Sequence, residues 1–224
     1  MKRTTFVPLL LALVAAPSVQ AANIIESIYG IGAGSFELPG HTGPMFVTPG
    51  TGSNAITGWT VNSGDVDWVK QSVWNASQGI YSIDLNGDQK AGKISTVIPT
   101  TAGTTYRVTF DIAGFLYPGS LTNPKRIEVE AGEVLMDFSL TATQSYNFST
   151  PLPLAVNWET RGFDFVASGP SSTLSFKSLL PSDGSAMLLD NVSVTQVSVI
   201  PEPSASALVA FSVALGLRRR RNRR

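Results

Sequence analysis

The chain has 224 residues, with 16 basic and 16 acidic side chains, one histidine and no cysteine. The missing thiols exclude disulfides, thiolate metal sites and cysteine nucleophiles. The formal charge of zero is unevenly spread: two basic residues sit at the start and six at the end, leaving eight against fifteen acids between Asn23 and Ile200, a net −7. That acidic middle, without a Lys/Arg cluster, excludes nucleic acid as a partner.

Lys2 and Arg3 precede an apolar run from Phe6 to Ala16, and Val19-Gln20-Ala21 has the small-x-small pattern of a cleavage site. Residues 1–22 therefore read as a signal peptide with a short leader helix, cut after Ala21 or Ala22 and directing the chain into the general secretion route. The run is too short to span a bilayer. The stretch 23–198 is long enough for one domain burying roughly 70% of its unfolded surface.

No helical period persists beyond two turns in that stretch. Gly30 to Gly34 and Pro39 to Ser53 read as loops, and Gly30-Ile31-Gly32-Ala33-Gly34 lacks the flanking strand and helix that would make it a phosphate site. Trp59-Val61, Val66-Trp68 and Ile94-Ile98 are short strand candidates. Trp59 and Trp68 read as core aromatics. Trp74, among Gln71, Ser72, Asn75 and Ser77, reads as the exposed tryptophan. Asp84-Leu85-Asn86-Gly87-Asp88 fails as a calcium loop because its glycine comes one residue early and no distal Glu is present, so Asn86-Gly87 is expected to form a tight hairpin turn.

The clearest strand is Thr105 to Ala113, where Tyr106, Val108, Phe110 and Ile112 alternate with polar residues. Ile127 and Val129, then Val134 to Leu140, then Phe163 and Phe165, then Leu174 and Phe176 repeat the pattern between Gly, Pro, Asn and Asp turns. Val192 and Val194 share a face that Val197 and Val199 do not, which calls for a bulge or strand end near Thr195-Gln196. Nine or ten such strands predict an all-β, two-sheet antiparallel jelly-roll sandwich.

At 199–224 the character changes. Pro201-Glu202-Pro203 cannot continue a strand. Residues 204–217 carry no charge, and 218–224 hold six arginines. A helix of that apolar length reaches about 21 Å against a hydrocarbon core of about 30 Å. The order of tripeptide, short apolar helix and basic end resembles the PEP-CTERM sorting signal of bacteria that make extracellular polymer. That resemblance implies recognition and processing by an exosortase-type membrane peptidase near Pro201, Glu202 and Pro203, with the membrane held at least transiently by the tail helix.

Within the domain, Gly34-Ser35-Phe36-Glu37, Pro49 to Trp59, Val66-Asp67-Trp68-Val69, Ser82 to Gly87 and Leu189 to Val194 resemble, in that order, the choice-of-anchor C family. That family is related to domains of unknown function in plant cell-wall proteins, with a galactose-binding-like jelly roll. The resemblance implies an exported surface or matrix protein that binds carbohydrate, including extracellular polysaccharide. It also implies a structural calcium whose anchors match Glu37 and Asp190; the other reading of Asp190 is that it satisfies turn amides. Trp74 and Tyr117 are the candidate sugar-facing aromatics.

With His41 as the only histidine, serine triads and multi-histidine metal sites lack material. A non-catalytic protein is expected. The alternatives are a passive matrix protein without a specific ligand and, further off, a carboxylate glycosidase drawing on Asp65, Asp67, Asp84 and Glu159.

Overall fold

The computed structural model describes residues 21–88, 90–118, 122–147, 149–181 and 186–197. The leader up to residue 20 and the whole sorting tail, Pro201-Glu202-Pro203 included, lie outside the described residues. Among those described, no helix is long and apolar enough to cross a membrane.

The single described helix, α1 (Ile24–Tyr29), is too short to persist alone. Asn23 anchors it: its Oδ1 accepts from the amides of Ile25 and Val194, and its Nδ2 donates to the Val192 carbonyl, each at 3.1 Å. Ile25 is fully buried beneath it. The helix is thus an extension of the last strand's packing.

The eleven strands are β1 (Phe46–Val47), β2 (Thr60–Ser63), β3 (Asp67–Lys70), β4 (Tyr81–Asp84), β5 (Lys93–Pro99), β6 (Thr105–Ala113), β7 (Lys125–Ala131), β8 (Val134–Leu140), β9 (Glu159–Val166), β10 (Ser171–Ser178) and β11 (Leu188–Gln196). One sheet has the order β1-β3-β4-β11-β6-β9 and the other β2-β5-β10-β7-β8. All neighbours are antiparallel, and the last two strands insert between earlier ones, giving the expected wound sandwich. The short β1 lies in the stretch expected to be a loop.

Alternation explains the core. Val108, Phe110 and Ile112 of β6 face Ile127, Val129, Leu174 and Phe176 of the other sheet, all fully buried. Each such side chain contributes about 1.5–3 kcal/mol. Trp59 and Trp68 belong to this core as expected, and each indole N–H donates at 2.9 Å to a carbonyl of the Ala33–Phe36 turn.

One expectation is corrected. Asn86-Gly87 joins no hairpin, since β4 pairs with β3 and β11 while β5 pairs with β2 and β10. Gly87 instead lets the chain pass against the Asp65–Val66 backbone as it crosses between sheets. The strand end expected near Thr195-Gln196 is found, since β11 stops at Gln196; a separate register slip falls between Asp190 and Ser193, where Asn191 has φ +51°.

The six-stranded sheet buries apolar residues on part of its outer face as well. Its outer face carries a second cluster of Val69, Trp74, Ala113, Phe115, Leu154 and Leu188, with the 142–158 segment folded over it. A sheet open to water on one side needs no such cover.

Candidate functional site

Strand parity places the site. On β3, Trp68 points into the core, so Asp67 and Val69 point outward; on β4, Ile83 points inward, so Ser82 and Asp84 point outward. Register sets Asp67 opposite Asp84 and Val69 opposite Ser82. The outward residues meet the second apolar cluster, and between them lies an open cavity of about 320 Å³. Asp67, Asp84, Asn86 and Gly87 line its acidic side; Phe115, Tyr117, Tyr146 and Trp74 line its aromatic side.

The aromatic wall is built from distant segments. Leu116 and Tyr146 exchange backbone hydrogen bonds with the facing chain, which stacks Tyr117 on Tyr146 at 5.5 Å and 13°. Phe115 continues the row, 6.2 Å from Tyr146 and 5.6 Å from Trp74. Asn75 fixes the other end by bonding both the amide and the carbonyl of Val156.

The acidic side is under electrostatic stress. Burial pushes Asp67 up to about 6; the Thr48 hydroxyl, donating at 2.6 Å, offsets part of this, while Asp65 and Asp88 add repulsion. Burial pushes Asp84 up to about 7. The amides of Asn86 at 2.9 Å and Met187 at 3.2 Å favour its charged form, Asp67 repels it and Lys125 attracts it. Asn86 is buried, with its Nδ2 on the Pro181 carbonyl at 3.0 Å and its Oδ1 without a hydrogen-bond partner.

A second cluster surrounds the 77–81 turn. Glu37 Oε1 accepts from the amides of Ile80 and Tyr81, both at 2.9 Å. Asp190 Oδ2 accepts from those of Ser77 and Gln78, and its Oδ1 from that of Asn191. Burial pushes Asp190 up to about 8 against those three donors, and Glu37 adds repulsion. Gly79, at φ +69°, leaves no room for a Cβ beside the Glu37 carboxylate. The two residues expected to anchor calcium therefore do converge, and Asp190 also satisfies turn amides. Two neighbouring carboxylates suit a cation between them, although the described residues contain no group of three His, Cys, Asp or Glu arranged for a metal.

Of the other expected site residues, Tyr117 lies half-buried on the cavity wall. Trp74 lies there too, but its expected exposure is wrong: it is 6% exposed, with its indole N–H on Ser82 Oγ at 2.8 Å. Leu154 and Val156 cover it from about eighty residues downstream, so its polar neighbours in sequence misled. Among the four acids weighed for a glycosidase, only Asp67 and Asp84 line the cavity; Glu159 pairs with Arg161 at 2.6 Å and Asp65 with Lys90 at 3.6 Å. His41 packs between Trp68 and Tyr81, and burial followed by Lys70 lowers its pKa. Phe115, Tyr146 and Asn86 were missed. Of the cavity's lining, the sequence singles out Trp74, Tyr117, Asp67 and Asp84, without anything to bring them together.

The model of DUF642, a family of proteins of unknown function, matches residues 30–195, and the chain belongs to that family. Halomucin of Haloquadratum walsbyi is 30% identical over 206 residues, covering 90% of this chain. The chain spans 2% of the length of that curated relative. Among solved structures, TmCBM61 in complex with β-1,4-galactotriose is 13% identical, covering 79% of this chain and 100% of that one, with a TM-score of 0.44. A CBM4 structure is 14% identical, covering 75% and 99%, with a TM-score of 0.36. An arabinose-bound GH51 α-L-arabinofuranosidase is 9% identical, covering 76% and 27%, with a TM-score of 0.48.

Proposed function

We propose that this member of the DUF642 family is an exported, non-catalytic surface or matrix protein that binds carbohydrate in the cavity between Asp67, Asp84 and the Tyr117–Tyr146 stack. The observation that carries the reading is the meeting of an aromatic wall with hydrogen-bonding side chains in one open cavity. A pyranose offers an apolar C–H face and fixed hydroxyls, so it needs both kinds of surface together. The cavity lies at the small end of the range of about 300–1,000 Å³ found for ligand pockets, which suits one or two sugar units.

Location completes the proposal. The 1–22 leader supports export from a bacterium, and the 199–224 tail supports processing by an exosortase at Pro201-Glu202-Pro203. The ordered matches between Gly34 and Val194 support a choice-of-anchor C type domain. Calcium between Glu37 and Asp190 belongs to the proposal because both carboxylates reach the same 77–81 turn.

The test is a polysaccharide array followed by calorimetry with the full chain and Tyr117→Ala. Binding to at least one glycan, weakened roughly tenfold or more by the substitution, is expected from the loss of a stacked ring. Absence of binding to every glycan, with or without calcium, overturns the reading; release of reducing ends overturns its non-catalytic part. A matrix protein without a ligand is the second reading. It is favoured by Leu135 on β8 and Val166 on β9, each 58% exposed on a sheet-edge strand.

A further inference from the structure

The carbohydrate reading leaves one property of the cavity unused. A neutral sugar is held well by amides, hydroxyls or a single carboxylate. Two carboxylates facing each other across adjacent strands are costly to ionise in a half-buried site, because each is desolvated and each repels the other. The surroundings deepen the imbalance. Asp65 and Asp88 act on Asp67 with the same sign, while the positive groups nearby are Lys90, held on Asp65, and Lys125, which acts on Asp84. Four acids thus stand against two lysines, and neither lysine lines the cavity. No arginine lines it either.

Resting on the carbohydrate reading, we infer that the cavity selects a glycan with a free amine, an amino sugar lacking its N-acetyl group, and seats the ammonium between Asp67 and Asp84 beside the aromatic wall. An ammonium has three donors and no acceptor. Asp67 and Asp84 supply two charged acceptors on one side of the cavity. The rings of Trp74, Phe115, Tyr117 and Tyr146 opposite are electron-rich surfaces that attract a cation. An N-acetyl group would remove the charge, and a uronic acid or sulfate would meet the two carboxylates that line the cavity.

Acidity gives the inference a second handle. Both carboxylates titrate high in the free protein, Asp67 near 6 and Asp84 near 7, so ligand binding must drive protons off them. Affinity therefore falls as pH drops through that range, by roughly tenfold per proton that must be displaced per pH unit.

The experiment titrates the full chain with a β-1,4-linked glucosamine disaccharide, its N-acetylated counterpart and a neutral disaccharide, at pH 7.5 and pH 5. The free-amine sugar is expected to bind roughly tenfold or more tighter than the other two at pH 7.5, and to lose that advantage at pH 5. Asp67→Asn should abolish the preference, so that the variant binds the free-amine sugar no better than the other two, whatever its overall affinity; Asp84→Asn should do the same if it folds, and the wild-type pH profile stands in if it does not. Equal binding of all three sugars overturns this inference and leaves the carbohydrate reading intact. No binding of any of the three also overturns this inference, while the carbohydrate reading stands or falls on the polysaccharide array. A preference that survives Asp67→Asn, or that requires calcium, also overturns it, since general attraction to an acidic protein or a bridging metal then explains the result.

Discussion

Asp67 on β3 and Asp84 on β4 are directly paired across an antiparallel ladder, and both point away from the sandwich core into the cavity. Like charges opposite one another destabilise a strand pair. Here the pair persists because burial holds both acids partly protonated near neutrality.

Stability should therefore fall as pH rises. A carboxyl whose pKa is raised on folding binds more protons in the native than in the unfolded state between its unfolded value near 4 and its folded value. The stability it confers is full below about 4 and is lost progressively as pH rises to about 6 for Asp67 and about 7 for Asp84. Thermal melts without ligand should give a higher midpoint at pH 5 than at pH 8. Asp84→Asn should raise the midpoint at pH 8 and change it little at pH 5. A midpoint that climbs from pH 5 to pH 8 would contradict this.

Trp74 and Tyr117 separate folding from binding. Trp74→Ala should cost about 3–5 kcal/mol, as for other buried tryptophans, and would show as a large drop in the denaturant midpoint. Trp74→Phe should cost about 1 kcal/mol, chiefly from the lost bond to Ser82. Tyr117→Ala, at a half-buried position, should weaken glycan binding with a smaller loss of stability. If Tyr117→Ala unfolds the protein and Trp74→Ala does not, the assignment of wall and support is reversed.

Calcium should raise the melting midpoint of the wild type, by an amount set by its concentration relative to its dissociation constant. Glu37→Gln should remove that response while keeping an oxygen for the Ile80 and Tyr81 amides. A midpoint indifferent to both calcium and chelator would take the ion out of the proposal.

Asn23→Ala removes a helix cap and two bonds to β11 at once. The expected cost is about 1–2 kcal/mol. Amide exchange should quicken first at Ile25 and Val194, whose N–H groups lose their acceptor. Unchanged protection at Val194 would show that α1 docks without this link.

Legibility in the sequence tracked the range of the interactions. β6 and β7 run over the stretches their alternation marks, since one largely buried face and one more polar face leave a two-residue period in the chain itself. β4 alternates too, Tyr81 and Ile83 against Ser82 and Asp84, but over four residues, and nothing in that pattern tells that its polar side is buried as well. The site was visible only in fragments. Tyr117 stood out as an aromatic in a loop, but its stacking partner Tyr146 lies 29 positions on. Trp74 was expected at the surface and is buried, because the residues that cover it, Leu154 and Val156, come from about eighty positions downstream. Asp67 and Asp84 were two acids among many until the register of β3 and β4 put them together.

The last strand sets where such a site would stand relative to anything that holds the protein. Asn23 is bonded to Val192 and Val194, so the domain begins beside the strand on which it ends. That strand starts at Leu188, next to Asp84 at the cavity, and finishes at Gln196, eight residues or about 26 Å along. A tether attached after Gln196 would pull on the corner remote from the cavity mouth. The ligand face would then point outward from the supporting surface, free to reach polymer that the envelope itself does not touch.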